Sequence, residues 1–119
     1  MKQKVHSVSY LAKAEFKFKN GVYDLVALPS GAEVVKVSLE VVGNPTVGSV
    51  SVGFKDENVK EYFLNLENNL NNKNATSAKD YTASSNQVIV AEVKNASETD
   101  AIGVLRVLYF LPSVIEVEY

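Results

Sequence analysis

The chain has no cysteine and no tryptophan, and its 119 residues include one histidine and one arginine. The absence of cysteine excludes disulfide bonds, thiolate metal sites and a cysteine nucleophile. A single histidine, His6, cannot complete a catalytic triad or a tight transition-metal site. No set of acid, base and nucleophile can be assembled from the other residues, so we predict a protein that is not an enzyme and holds no metal or cofactor.

Glycine-rich phosphate loops and long apolar runs are also missing. The six glycines are scattered singly, which leaves nucleotide chemistry without a phosphate-binding loop. The apolar stretch at residues 101–111 is too short to cross a membrane as a helix. Residues 1–8 are basic but lack the apolar core of a signal peptide. We therefore expect neither secretion by that route nor membrane association.

Positive charge is concentrated near the N-terminus. Residues 1–20 carry five lysines against one glutamate, a local charge of +4 in a chain whose net charge is −2. One interpretation is that residues 1–12 form a basic arm that contacts nucleic acid or an acidic partner. We favour the other, a strand edge guarded by lysines, because Lys13, Lys17 and Lys19 have the spacing of a solvent-facing strand surface. Nucleic-acid binding is therefore not expected.

Alternating apolar and charged residues predict a strand that ends at Asn20-Gly21. Its expected inward residues are Ala14, Phe16 and Phe18. Asn-Gly between two alternating runs is a strong hairpin signal, because both residues accept positive φ. We expect residues 22–28 to return alongside this strand as its antiparallel partner.

Residues 33–42 give the clearest amphipathic strand of the chain. Its expected inward residues are Val35, Val37, Leu39 and Val41. Gly43-Asn44-Pro45 then predicts a second hairpin to a strand at residues 47–54. Two hairpins in so short a stretch favour an antiparallel sheet, since parallel pairing needs longer crossovers.

Further strands are expected at residues 87–94, 101–111 and 114–119. They bring the total to seven or eight strands with turn signals between them, the pattern of a sandwich or barrel. We therefore predict one all-β domain over residues 1–119, an antiparallel β-sandwich of jelly-roll-like form.

Residues 55–86 depart from the strand pattern. Five apolar residues there have the spacing of an amphipathic helix: Val59, Tyr62, Phe63, Leu66 and Leu70. Six asparagines between positions 65 and 74 oppose a helix, because asparagine favours turns over helix interiors. We expect a long Asn-rich loop with at most a turn or two of helix.

This loop leaves two interpretations open. Its amides, with the rings of Tyr62, Phe63 and Tyr81, could bind a sugar, which would make the protein a carbohydrate-binding β-sandwich module. Alternatively, it is a solvated loop that its aromatic residues hold against the sheet, and we favour this second interpretation.

Two strands, at residues 87–94 and 101–111, carry apolar residues on both faces, whereas a sandwich buries only one face of each sheet. The 55–86 loop, the N-terminal segment or another subunit must cover the second face. We favour self-association and predict an interface that contains Leu105, Arg106, Val107 and Tyr109. Arg106, alone among apolar neighbours, would pair with a carboxylate such as Glu92 or Glu116.

Three segments carry a resemblance to a known family. Residues 22–37 include the turn Leu28-Pro29-Ser30-Gly31, residues 81–91 begin Tyr-Thr-Ala, and residues 101–109 form the apolar strand. In their order and spacing they resemble small phage and prophage virion proteins with a β-sandwich or jelly-roll fold. In that family an LPAG turn precedes a long amphipathic strand, a TA turn precedes the penultimate strand, and a small-residue turn precedes an apolar strand near the C-terminus.

The resemblance implies a non-enzymatic virion structural protein, such as a capsid decoration protein, a head-fibre-like protein or a tail component. It implies a homo-oligomer, with a trimer favoured, and capsid or tail proteins as partners. The location would be the virion, or the host cytoplasm during assembly. This chain departs from the family pattern in a longer Asn-rich loop at residues 65–79, fewer glycines and a further strand after Pro112.

Overall fold

The computed structural model describes residues 2–43, 45, 47–67, 74–96, 100–112 and 114–118, with the backbone alone for Glu67 and residues 114–118. The strands are β1 (Lys2–His6), β2 (Ser9–Lys17), β3 (Gly21–Leu28), β4 (Glu33–Val42), β5 (Ser49–Phe54), β6 (Leu64–Glu67), β7 (Asn74–Ser77), β8 (Tyr81–Thr82), β9 (Gln87–Lys94), β10 (Ile102–Phe110) and β11 (Val114–Glu118). Within the described residues there is no helix, and hence none that could span a bilayer.

Two antiparallel sheets pack face to face. Sheet I has the strand order β2-β10-β4-β7, and β8 continues along the same edge of β4 as β7. Sheet II has the order β3-β9-β5-β6. With β7 and β8 counted as one interrupted edge strand, this is the eight-stranded arrangement of a jelly roll. The predicted all-β, jelly-roll-like sandwich is confirmed.

The two predicted hairpins are wrong. β2 pairs with β10 and β3 pairs with β9, so the chain crosses from sheet I to sheet II at Asn20-Gly21. It crosses again after Gly43, because β4 lies in sheet I and β5 in sheet II. Strands on opposite sides of one core have the same apolar alternation as strands paired side by side, so the alternation does not distinguish them. The amide of Asn20 fixes the first crossing, where its Oδ1 accepts a hydrogen bond of 2.8 Å from the backbone nitrogen of Ala96.

The inward face of β4 differs from the prediction at one position. Val34, Val37, Leu39 and Val41 are buried, whereas Val35 is only half-buried. The cause is a β-bulge, because the pairing register between β4 and β10 shifts between Leu108 and Tyr109. The extra residue reverses the alternation and turns Val35 to the outer face of sheet I.

The described parts of residues 55–86 contain three short strands in place of the predicted helical turns. β6 pairs with β5, which buries Leu66 in the core, while Val59 stays exposed. Pairing with the edges of existing sheets satisfies the backbone without placing asparagine in a helix interior. Residues 68–73, the centre of the Asn-rich loop, lie outside the described residues.

Residues 55–61 cover part of the outer face of sheet II. Val90 lies on that face and is completely buried, although both of its neighbours along β9 point into the core. Gly53 pairs with Val90 in register, and a Cβ built on Gly53 would lie 2.8 Å from the backbone nitrogen of Glu61. For β9, this close approach supports cover by the 55–86 segment, one of the three alternatives, over the self-association favoured from the sequence.

The N- and C-terminal strands form a separate two-stranded ribbon. β1 pairs with β11 from Lys2 opposite Glu118 to His6 opposite Val114. Only residues 2–6 of the predicted N-terminal arm belong to this ribbon, since β2 begins at Ser9. The lysine-guarded edge is confirmed, because β2 is an edge strand of sheet I and its Lys13 and Lys17 are exposed. The molecule is elongated, with extents of 55 × 26 × 18 Å.

Candidate interaction surface

Two of the four residues predicted for the interface lie inside the sandwich. Leu105 and Val107 have no exposed surface, because β10 is an inner strand of sheet I and both side chains point into the core between the sheets. Their neighbours along β10 point outward. The prediction is therefore wrong for Leu105 and Val107 as surface residues, and the contact surface of β10 belongs to the alternate positions.

Arg106 occupies one of these outward positions. Its Nη1 lies 3.3 Å from Oε1 of Glu40 on the neighbouring strand β4. The predicted partner Glu92 lies in sheet II, where it contacts Lys94, and the side chain of Glu116 is outside the described part of the chain. The Arg106 and Glu40 side chains are 36% and 41% exposed, so water screens their ion pair and it contributes at most about 1 kcal/mol to stability.

A groove runs along β10 on the outer face of sheet I. Leu108 lies between Leu11 of β2 and Lys36 of β4 in the strand register. Together with Ser38 and Arg106, these residues line a hollow of about 290 Å³. Leu11 is 63% exposed, so a large apolar side chain remains in water at its edge.

A second hollow continues the groove towards the terminal ribbon. It has a volume of about 310 Å³, and its lining residues are His6, Glu33, Val35 and Phe110. Phe110 follows Leu108 by two positions on the same face of β10, and the bulge in β4 supplies Val35. His6 is held at the base of the ribbon, where its Nδ1 lies 3.1 Å from the carbonyl oxygen of Leu111.

We call the two hollows together the outer groove. Its floor is apolar, and its rim carries charge of both signs. The floor residues are Leu11, Val35, Leu108 and Phe110, and the charged rim residues are Glu33, Lys36 and Arg106. An apolar centre with a polar rim is the usual composition of a protein–protein contact, and exposed apolar patches commonly mark such contacts.

Sequence reasoning missed Leu11, Val35, Lys36 and Leu108 as surface residues of interest. Leu11 and Leu108 could have been found from alternation, because each is a large apolar residue at a position whose strand neighbours point inward. Val35 could not, because its outward direction depends on a bulge that the sequence pattern does not reveal.

Tyr109, the fourth residue predicted for the interface, lies at the ribbon end of the sandwich. Its ring packs edge-on against Tyr10 of β2, with a centroid distance of 5.8 Å. Tyr10 is 50% exposed, so the ring pair is open to water on the side away from the core. Tyr109 packs against the core and shares the inner side of β10 with Leu105 and Val107, so the pair lies on the opposite side of sheet I from the outer groove.

The three aromatic residues predicted for a ligand loop pack against one another. Phe63 is buried, and the rings of Tyr62 and Tyr81 lie 5.4 Å apart, both in contact with Phe54. Nζ of Lys79 lies 3.7 Å above the centroid of the Tyr62 ring and covers one of its faces. Stacking on a sugar needs a free ring face, so these contacts favour the interpretation of a loop held by its aromatic residues.

Burial raises the pKa of Tyr81 above its ordinary value, and the nearby charges of Tyr62 and Asp56 act in the same direction. The phenol therefore stays protonated in the folded protein, as a packing residue would. In the described residues no polar or charged residue is buried, and no three His, Asp or Glu side chains gather where they could hold a metal ion. The described polar and charged side chains are therefore half-buried or exposed.

Comparison with known proteins gives the family. No protein-family model and no curated protein sequence matches this chain. Among solved structures, a chain of the acidic stable capsid structure of Helicobacter pylori bacteriophage KHP30 is 73% identical, with full coverage of both chains and a TM-score of 0.92. A chain of the capsid asymmetric unit of cyanophage Pam1 is 20% identical, with a TM-score of 0.67 over 87% of this chain and 85% of that one, and shows the shared fold.

The identity to the KHP30 chain extends over the entire length, and the resemblance predicted from the order of the strands is confirmed. This chain belongs to the same family as the bacteriophage KHP30 capsid chain, and it is a phage virion structural protein.

Proposed function

We propose that this protein is a non-enzymatic capsid decoration protein, which binds the outer lattice of a phage head through the outer groove and associates with copies of itself. The observation that carries the proposal is an apolar groove floor, with Leu11 exposed and Val35, Leu108 and Phe110 half-buried, on a chain whose relative belongs to a capsid structure. A head-fibre or tail role would also need a contact surface. Decoration is favoured because the 73% identical chain comes from a capsid.

The outer groove suits a segment of another protein. Its two hollows follow one strand, so their length along β10 matches an extended segment or loop better than a compact ligand. Full burial of a leucine contributes roughly 1.5–3 kcal/mol, and Leu11 has most of its side chain still to bury. Lys36 on the rim would favour a partner segment that carries a carboxylate, whereas the charge of Arg106 is already paired with Glu40.

The sandwich provides a rigid support for such a contact. The groove floor lies on and beside β10 and β4, the two inner strands of sheet I. The other face of these strands packs into the core, through Leu105 and Val107 of β10 and Leu39 of β4. Little conformational entropy is therefore lost when a partner binds, which favours affinity. The arrangement needs no acid, base or nucleophile, in keeping with a structural role.

Binding to capsid shells assembled without this protein tests the proposal. The wild-type protein is expected to co-sediment with the shells, whereas Leu11→Glu should bind about 10- to 100-fold more weakly, as the loss of one buried leucine implies. Val59→Glu is the matched control, because Val59 is 59% exposed and lies outside the groove. Both variants should keep the thermal unfolding temperature of the parent.

Two results would contradict the proposal. Failure of the wild-type protein to bind shells would exclude decoration and favour a tail component. Equal loss of binding in the Leu11 and Val59 variants would show that the contact does not depend on the outer groove.

A further inference from the structure

The terminal ribbon is incompletely paired. β1 and β11 are five residues each, and within the described residues they form a sheet of two strands only. Each strand therefore has one edge with no neighbouring strand. An isolated two-stranded ribbon is at best marginally stable in water, because it has no third strand or helix to pack against.

One face of the ribbon is also apolar in composition. The register places Val5 opposite Ile115 and Gln3 opposite Val117, so these positions share a face by strand alternation. Val5 is 39% exposed. The open strand edges of the described ribbon and the exposed Val5 leave room for a further protein surface there.

The charges of the two strands restrict what that surface can be. β1 carries lysine at positions 2 and 4, and β11 carries glutamate at positions 116 and 118. Pairing of two β1 edges would bring lysines together, and pairing of two β11 edges would bring glutamates together. Both pairings are unfavourable, because like charges opposite each other destabilise a sheet. Pairing of β1 with β11 of a second copy brings opposite charges together.

We propose that the ribbon is the self-association element of this protein, in which β1 of one copy adds to the free edge of β11 of the next. The proposal rests on the self-association included in the proposed function, and it specifies the surface and the strand pairing. Two copies related by a two-fold axis could make this pairing reciprocally, and a head-to-tail contact closes into a ring of three or more copies where the rotation between neighbours permits. The three-copy ring is the arrangement that agrees with the trimer implied by the family resemblance.

The absence of cysteine from the chain allows a direct test by disulfide trapping. Lys4→Cys places one thiol on β1, and Glu116→Cys places one on β11. The two variants are mixed in equal amounts and oxidised, and each is also oxidised alone. Gln3→Cys with Val117→Cys repeats the test at the adjacent register position. Val59→Cys, exposed and distant from the ribbon in sequence, controls for random collision.

The proposal predicts crosslinked dimers in the mixtures of β1 and β11 variants, with little crosslinking in either variant alone or in the control. It is overturned if a β1 variant crosslinks with itself as efficiently as in the mixture, or if the wild-type protein stays monomeric up to millimolar concentration by light scattering. Neither of these two results bears on shell binding, which co-sedimentation measures separately. A ring that fails to bind shells would contradict decoration while the ribbon assignment stands.

Discussion

Gly53 of β5 lies directly beneath the backbone of Glu61, with only 2.8 Å between the Glu61 nitrogen and the place where a Cβ of residue 53 would lie. This relationship holds residues 55–61 over the outer face of sheet II, where they bury Val90. Nζ of Lys55 adds an ion pair of 2.7 Å to Asp24, which fastens the segment to β3. One glycine therefore allows a loop to cover a sheet face that would otherwise be exposed.

Gly53→Ala is expected to lower the free energy of unfolding by about 1–3 kcal/mol, because the new methyl group meets backbone atoms that cannot move without lifting the segment from Val90. Denaturant unfolding measures the change. Ser51→Ala, on the same strand and face, is the control and should be nearly neutral. A Gly53→Ala variant as stable as the parent would show that the segment does not press on the sheet.

Leu105→Ala should lower the free energy of unfolding by about 2–5 kcal/mol, because the leucine is fully buried in the centre of sheet I and its removal leaves a cavity. Arg106→Ala, one residue along, should cost at most about 1 kcal/mol, since its ion pair with Glu40 is half exposed. Chemical denaturation of the two variants measures both values. Similar losses for the two variants would contradict the assignment of inward and outward faces on β10.

Tyr81 should make the protein less stable at alkaline pH. Burial raises the pKa of Tyr81 in the folded state, so its contribution is complete below the ordinary value of 10.0 and is lost as the pH rises further, where the unfolded chain ionises first. The denaturant midpoint should fall as the pH rises above 10.0, and fall less in Tyr81→Phe. Tyr10→Phe, at a half-exposed ring, is the control. Identical pH profiles for parent and Tyr81→Phe would contradict the buried environment.

The fold class was predictable because alternation along each strand is a local property. Phe16 and Phe18 are buried, as the alternation before Asn20-Gly21 predicts, and Val50, Val52 and Phe54 of β5 are buried as well. Strand pairing was not predictable, because the turn at Asn20-Gly21 is equally compatible with a hairpin and with a crossing between sheets. Only the full set of strands decides between them, through the pairing of β2 with β10 and of β3 with β9.

The candidate surface was predictable only as far as its strand. The apolar character of β10 on both faces pointed to a contact there, but an inner strand directs alternate residues to opposite sides. Leu105 and Val107 point inward, while Arg106 and Leu108 point outward. The neighbouring strands decide which set faces the core, and the bulge that exposes Val35 depends on pairing between β4 and β10. Neither the choice of core-facing residues nor the bulge can be read from the sequence of β10 alone.

The number of copies of this protein in purified virions tests the proposed capsid decoration most directly. Quantitative mass spectrometry with isotope-labelled peptides would compare it with the protein that builds the shell. A decoration protein that binds the repeating lattice predicts a copy number comparable to that of the shell subunit. A handful of copies per particle, as a tail component or a single vertex fibre would give, would contradict the account.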